Sequence, residues 1–335
     1  MIGGAIKQLV EGRDLTAEQA HAAMMQVMGG EATPAQIAGF LVALRMKGET
    51  IDEVAGCARA MRAHVTPVLP AREGLVDTCG TGGDGSGMFN VSTAAALVAA
   101  AAGVAVAKHG NRAVSSRCGS ADVLEALGVR IDLAPADVAA CIDTTGFGFL
   151  FAQTHHPAMR HAGPVRRELG VRTVFNLLGP LTNPAGASRQ VMGVYDPGLV
   201  EPIACVLAQL GAERALVVHA AGGVDELLPG VECSVAWVGP GGVDGPLAMT
   251  PPGRAGDLSG GDAEENAAII RTVLDGERGP RRDAVVVNAA AAVAVSGLTD
   301  SLDEGVERAA AAIDSGEAGQ LLERLVEFTS GRAGA

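Results

Sequence analysis

Asp77-Thr78-Cys79-Gly80-Thr81-Gly82-Gly83-Asp84-Gly85, then Asn90-Val91-Ser92-Thr93 and Lys108-His109-Gly110-Asn111-Arg112, decide how this chain folds. A β-type run enters a glycine loop, the loop leads to a helix start, and a second β-type run ends in a basic turn. From Gly85 to Ala121 there is no Asp or Glu, while Lys108, His109, Arg112 and Arg117 all fall in that window. The whole chain of 335 residues nevertheless carries a net charge of −13. A local acid-free, glycine-rich zone suits a compact anion, phosphate first, because backbone N–H groups at a loop and at a helix N-terminus can face it.

Upstream of this unit, residues 1–70 read as helix only. Thr16-Ala17-Glu18-Gln19, Thr33-Pro34-Ala35-Gln36 and Thr50-Ile51-Asp52-Glu53 are capping boxes, the second with Pro at the first helical position. They predict helices that stop at Gly29-Gly30, that bury Ile37, Phe40, Leu41 and Leu44 on one face, and that run to about His64. Thr66-Pro67-Val68-Leu69-Pro70 then reads as a connector. Downstream the pattern alternates. Strands are expected at 75–79, 103–107, 128–132, 191–195, 215–219 and 284–287, with helices at 92–102, 120–127, 135–144, 198–210 and 288–295. The fold class is therefore α/β: a small helical N-terminal unit joined to a larger domain with a mainly parallel sheet covered by helices. Residues 239–261, rich in Gly and Pro, read as a surface excursion.

Composition narrows the function. The chain is 48% hydrophobic but only 3% aromatic, so its core is aliphatic and suits close helix–sheet packing. The acidic balance argues against a non-specific nucleic-acid binder. Six scattered cysteines without a C-x-x-C pair argue against a disulfide framework or a zinc site. No leader and no apolar run long enough to span a bilayer is evident, so a soluble, reduced, cytoplasmic protein is expected.

Gly80-x-Gly82-x-x-Gly85 fits a dinucleotide fingerprint literally, but that reading needs an acid on the ribose about 20 residues later, and Ala and Val stand there. A P-loop is absent. The remaining reading is an anion nest built from the amides of residues 80–83 and the helix start near Ser92, with Ser92 or Thr93 as its cap. Asp225-Glu226 follows an expected strand and a Gly222-Gly223 turn, which places two carboxylates at a carboxyl edge where they can hold Mg2+ beside a phosphate. His155-His156-Pro157-Ala158-Met159-Arg160-His161 lacks zinc spacing, and a helix start after Pro157 is favoured. Of Arg166 and Arg167, which point apart on a helix, one can serve as a carboxylate fork. Residues 175–184 form an apolar loop that can wall a pocket for a flat ligand. No nucleophile–base pair is evident, which fits a reaction run by positioning and electrostatics.

Taken in order, these stretches, with Gly119-Ser120-Ala121-Asp122-Val123-Leu124-Glu125-Ala126-Leu127-Gly128 and Val165-Arg166-Arg167-Glu168-Leu169-Gly170, resemble the anthranilate phosphoribosyltransferases from the N-terminal helices to the C-terminus. The resemblance implies a helical domain over 1–70, a hinge near 66–74, a returning helical segment near 157–185 and an α/β domain over 75–335. It implies transfer of the phosphoribosyl group of 5-phosphoribosyl 1-pyrophosphate to the amine of anthranilate in tryptophan synthesis. Mg2+ is the implied cofactor, two ions per subunit, in a homodimer joined through the helical domains. By position, Gly80, Gly83, Asp84, Asn90, Val91, Ser92, Thr93, Lys108, His109, Gly110, Asn111, Arg112, Ala113, Val114, Ser115, Ser116 and Ser120 would surround phosphoribosyl pyrophosphate. Gly80, Asn111 and Arg166 would hold anthranilate, with His109, His156 and Gly179 nearby, and Ser92, Asp225 and Glu226 would hold the metal. Met88 stands where many members have Thr, and Cys118 where many have Ser. A pyrimidine nucleoside phosphorylase shares the fold and a similar loop; Arg166 and residues 175–184 favour the anthranilate enzyme.

Overall fold

The computed structural model describes residues 1–83, 85–113 and 117–332. Four helices open the chain: α1 (Ile2–Val10), α2 (Ala17–Met28), α3 (Pro34–Lys47) and α4 (Ile51–Arg62). All three capping boxes form, the hydroxyls of Thr16, Thr33 and Thr50 accepting from the amides of Gln19, Gln36 and Glu53. Ile37, Phe40, Leu41 and Leu44 are all buried, as their spacing predicts. Glu53 does more than close its box. Fully buried, it accepts from Leu15 N at 2.9 Å, Thr50 N at 2.8 Å and Lys47 Nζ at 2.9 Å, so one carboxylate ties α4 to the loops before α2 and α4.

The rest of the chain runs β1 (Val76–Asp77), α5 (Val91–Ala101), β2 (Val106–Gly110), α6 (Ser120–Ala126), α7 (Pro135–Thr145), β3 (Phe147–Phe151), α8 (Ala152–His155), α9 (Met159–Leu169), α10 (Phe175–Leu178) and β4 (Arg189–Gly193). It continues through α11 (Val200–Gln209), β5 (Arg214–Ala220), β6 (Cys233–Gly239), β7 (Gly242–Met249), α12 (Ala263–Leu274), α13 (Pro280–Ser296), α14 (Leu302–Asp314) and α15 (Glu317–Ser330). The sheet order is β3-β2-β1-β4-β5-β6-β7, parallel from β3 to β5 and antiparallel beyond. Alternate residues feed both faces. Leu216 and Val218 of β5 join the core under α5 and α13, while Ala215 and Val217 join the core under α11.

Helix α11 lies between the sheet and the N-terminal helices, touching α4 on one side and β5–β7 on the other. The chain also returns to the helical unit: α9 packs on α2 and α3, α10 packs on α4, and Ala162, Val165, Phe175 and Leu178 share that unit's core. Three strands of the chain therefore connect the two units side by side. Thr66 N donates to His155 O at 2.8 Å, and Val68 N donates to Pro184 O at 3.0 Å.

Four local expectations need correction. Residues 128–132 form no strand; Val129 and Ile131 are buried with strand-like alternation, but Arg130 N is satisfied by Thr329 Oγ1 of α15 at 3.2 Å instead of by a ladder. Residues 284–287 lie inside α13, which is buried nearly all round, so its Ala/Val run shows no polar face to betray a helix. Residues 239–261 hold all of β7, which pairs with β6. Strands β3 and β6 went unforeseen, β3 within an unbroken apolar run. The basic stretch is not a turn at its start: Lys108, His109 and Gly110 end β2.

The candidate active site

The parallel strands β2 and β3 leave β1 on one side while β4 and β5 lie on the other, so β1 and β4 bracket the switch point of the sheet. Ligands in open α/β sheets bind in the crevice beyond such a point, where the loops diverge. Here the glycine loop leaves β1 and crosses toward β4, Thr81 N donating to Gly193 O at 2.9 Å. Two glycines make the crossing possible. A Cβ at Gly193 would lie 1.7 Å from the backbone oxygen of Asp225, and one at Gly80 would lie 2.8 Å from Asp225 Oδ2.

The fold carries the acid pair into this crevice from far along the chain. Asp225 Oδ2 accepts from Gly82 N at 2.8 Å, and Glu226 Oε1 accepts from Ser92 N at 3.1 Å in the first turn of α5. The carboxylates thus rest on the loop amide and helix N-terminus expected to face an anion, a favourable placement for negative charge. Asn288 of α13 fixes the next residue, accepting from Leu227 N at 3.0 Å and donating to Leu227 O at 2.9 Å. The resulting crevice is lined by Thr78, Gly80, Ser92, Gly193, Asp225 and Glu226. Its donors are hard oxygens, and two carboxylates leave most of an octahedral shell to water and phosphate, which fits Mg2+. Among the described residues Asp77, Cys79 and His109 also cluster, but Asp77 and His109 are buried and hydrogen-bonded in the loop's foundation, and Cys79 is half-buried beside them.

That foundation sets the loop's position. Asp77 accepts from His109 N at 3.0 Å and from Asn183 Nδ2 at 2.8 Å, and burial pushes its carboxyl up to about 6. Lys108 is 2% exposed and donates to Thr78 O at 2.7 Å and Thr78 Oγ1 at 3.1 Å. The sequence signals a basic ligand-facing Lys108; the structure shows its ammonium bracing the loop from below. Two further cations are engaged as well. Arg112 pairs with Glu125 and, at 3.0 Å, with Asp122, while Arg117 reaches Glu265 at 3.5 Å. The acid-free window is neutralised by acids from outside it.

The helix cap also differs from expectation. Asn90, not Ser92 or Thr93, is the N-cap of α5, and its side chain donates to Cys118 O at 3.2 Å and accepts from Asn266 Nδ2 at 2.9 Å. Val91 and Thr93 are buried, Thr93 Oγ1 without a partner among the described residues. Asp122 holds the turn after β2, accepting from Ala113 N and Gly119 N, both at 2.9 Å. Asn111 Oδ1 accepts from Arg112 N at 2.8 Å, and Ser120 Oγ donates to Asn111 O at 3.3 Å. Asp84, Val114, Ser115 and Ser116 lie outside the described residues.

A second wall stands beside the first. Arg166 of α9 is half-buried with its guanidinium 4.9 Å above the Phe175 ring, has no ion pair among the described residues, and has its pKa lowered by burial. Its neighbour Arg167 is exposed. His109 Nδ1 lies 3.1 Å from Gly179 O, and its Nε2 lies 3.1 Å from His156 Nε2. Burial holds both imidazoles neutral, His109 down to about 3 and His156 down to about 4, each also opposed by a neighbouring histidine. Residues 175–184 begin as the turn α10 and are mostly buried, so this wall is packed rather than loose. Sequence reasoning missed Asp77, Asn183, Gly193 and Asn288, whose roles depend on partners distant in the chain, and Arg172 with Tyr195, which carried no local signal.

A helical bundle docked on an α/β domain, with an acid pair folded onto a glycine loop at the switch point, defines a glycosyl transferase. Residues 4–65 match the glycosyl transferase family helical bundle domain, and residues 72–319 match the family's a/b domain. The anthranilate phosphoribosyltransferase of Symbiobacterium thermophilum is 55% identical over 97% of this chain and 96% of its own. That of Pelotomaculum thermopropionicum is also 55% identical, over 98% and 97%. The solved anthranilate phosphoribosyltransferase of Thermus thermophilus superposes with a TM-score of 0.92 at 53% identity, covering 97% of this chain and 99% of that one. The enzyme of Saccharomyces cerevisiae in complex with PRPP and Mg superposes at 0.87 with 27% identity, covering 98% of each. This chain belongs to the anthranilate phosphoribosyltransferase family.

Proposed function

We propose that the crevice transfers the phosphoribosyl group of 5-phosphoribosyl 1-pyrophosphate to the amine of anthranilate, giving N-(5-phosphoribosyl)anthranilate and pyrophosphate in tryptophan biosynthesis. The observation that carries this reading is the meeting of Asp225 and Glu226 with Gly82 N and Ser92 N at the switch point. The amides at Gly80, Gly82 and Gly83 and at the start of α5 face the pyrophosphate, and Asn90, Asn111 and Ser120 complete the surround. Asp225, Glu226 and Ser92 would hold Mg2+, two ions per subunit, which would neutralise charge on the leaving group. Holding the metal would draw the two carboxylates off Gly82 N and Ser92 N and leave those donors to the pyrophosphate oxygens.

On the other wall Arg166 forks the anthranilate carboxylate, and Gly80 lies where the two substrates meet. The C1–O bond to pyrophosphate breaks with its electron pair leaving on oxygen, and the amine lone pair forms the new C1–N bond. The amine proton then leaves to solvent or to pyrophosphate. No side chain in this description acts as a dedicated acid or base. The rate comes from orientation and from donors fixed where charge develops. Neutral His109 and His156 leave Arg166 as the cation facing the acceptor's carboxylate.

The domains divide as 1–70 with the returning 157–185, and the remainder of 75–335. Closure about 66–74 would bring Arg166 toward the glycine loop. The helical unit also forms the homodimer contact; Val10 and Met46 are exposed on α1 and α3, which pack on each other. No helix among the described residues is long and apolar enough to cross a membrane. The decisive experiment follows loss of anthranilate fluorescence with phosphoribosyl pyrophosphate and Mg2+. Absence of turnover with any divalent metal overturns the assignment. Titration calorimetry with Mg2+ and phosphoribosyl pyrophosphate counts the ions.

A further inference from the structure

The connector between α9 and α10 carries an arginine that neither half-site, as described above, employs. Gly170, at a φ of +62°, ends α9 in a left-handed turn and redirects the chain. Two residues on, Arg172 reaches back to the glycine loop and Nη2 donates to Gly83 O. Its guanidinium lies 3.9 Å from the centre of the Tyr195 ring, just beyond the end of β4. Nη1 is shut off from solvent and has no hydrogen-bond partner among the described residues. Val171 beside it is 58% exposed, and Arg172 itself is half-buried.

Two cations with different tasks therefore stand on either side of the Gly170 turn. Arg166, on the last turn of α9, stands over Phe175. Arg172 is joined to the loop that launches from β1, and Thr173 N donates to Asn176 Oδ1 at 3.1 Å to start α10 directly after it. One stacked guanidinium therefore joins this short segment, which follows directly on Arg166, to Gly83. Stacking on Tyr195 fixes the plane of that guanidinium and so the direction of its donors.

We infer that Arg172 is a positioning residue that couples the two half-sites, so that an occupied acceptor wall holds the glycine loop in the geometry that binds pyrophosphate. This rests on the half-sites assigned under the proposed function. Coupling of this kind is reciprocal, and a single charge-assisted contact supports about a tenfold effect.

The test is calorimetric titration of the full chain with Mg2+-pyrophosphate, alone and with saturating anthranilate, a pair that cannot react because the pentose is missing. In the wild-type protein anthranilate tightens Mg2+-pyrophosphate binding about tenfold. In Arg172→Gln and Tyr195→Leu the ratio falls to near one, while affinity for anthranilate alone and the thermal midpoint stay close to wild type. Arg172→Lys, which keeps a donor but not the flat stacking surface, is intermediate. In turnover, Arg172→Gln raises KM for phosphoribosyl pyrophosphate more than it lowers kcat. An unchanged ratio in Arg172→Gln, no ratio in the wild type, or an equal loss of binding for anthranilate alone overturns the inference. Wild-type turnover separates the two readings: without it the half-sites themselves fall, and with it only the coupling does.

Discussion

Gly80→Ala tests the crevice most directly, because the added methyl meets Asp225 of the acid pair first. Its Cβ would sit 2.8 Å from Asp225 Oδ2 and 3.3 Å from Gly193 O. Reaching ordinary van der Waals distance means about 0.6 Å of carboxylate movement, since the backbone oxygen can yield less than a side chain can. That movement weakens the bond from Gly82 N, worth about 1.5–3 kcal/mol for a charged acceptor. Gly80 does not have a positive φ, so alanine adds no backbone strain there and offsets about 0.4–1 kcal/mol through the unfolded chain. The expected net loss of stability is about 1–2 kcal/mol, within reach of a denaturant titration.

Activity falls much further. A displacement approaching 1 Å at a positioning group costs about 100-fold in rate, and the Mg2+ concentration for half-maximal activity rises about tenfold or more. Thr33→Ala is the control. It loses a helix cap worth about 1 kcal/mol far from the crevice and keeps full kcat/KM. Fluorescence turnover and urea midpoints are measured on both. The reasoning fails if Gly80→Ala stays within threefold of wild type, or if Thr33→Ala loses activity to the same degree.

Arg166→Ala should raise KM for anthranilate about 10–100-fold, the worth of a charge-assisted bond, and leave KM for phosphoribosyl pyrophosphate within a few-fold; equal effects on both would refute the carboxylate fork. Glu53→Ala strands one buried and one half-buried amide and removes one partner of Lys47, which keeps Asp14 at 2.7 Å, so a loss of about 3 kcal/mol is expected in urea; under 1 kcal/mol contradicts it. His109 and His156 titrate lower in the fold than their ordinary value of 6.5. The unfolded chain therefore takes up protons first, and stability present above pH 6.5 is lost as pH falls toward 4, by about 1.4 kcal/mol per pH unit for each histidine. Asp77, raised to about 6, works the other way and offsets about one histidine between pH 6 and 4. Urea midpoints at pH 7, 6 and 5 should fall steadily, and His156→Gln should flatten them; a flat wild-type profile counts against it. Val10→Asp with Met46→Asp should shift the mass by light scattering from dimer to monomer without unfolding the chain, and an unchanged mass rejects that interface.

The sequence by itself determined the features that rest on neighbours a few residues apart. Thr16, Thr33 and Thr50 specify their helices because a hydroxyl and an amide three residues on close a local ring. The glycine loop after β1 and the missing ribose acid were enough to exclude a dinucleotide site. Period alone failed where burial was uniform. Residues 284–287 in α13 show no polar side, and 128–132 alternate without ever finding a ladder. Only the tertiary structure decided what the cations and acids do. Lys108 and Arg112 look alike in a basic stretch, yet one braces Thr78 from inside the sheet and the other is held by Asp122 and Glu125. Asp225 and Glu226 reach Gly82 and Ser92 because the strand order places β4 next to β1 and β5 next to β4, and Arg172 reaches Gly83 because α9 ends at Gly170. Charge acts through space and burial, and neither distance nor dielectric is written in the spacing of residues along a chain.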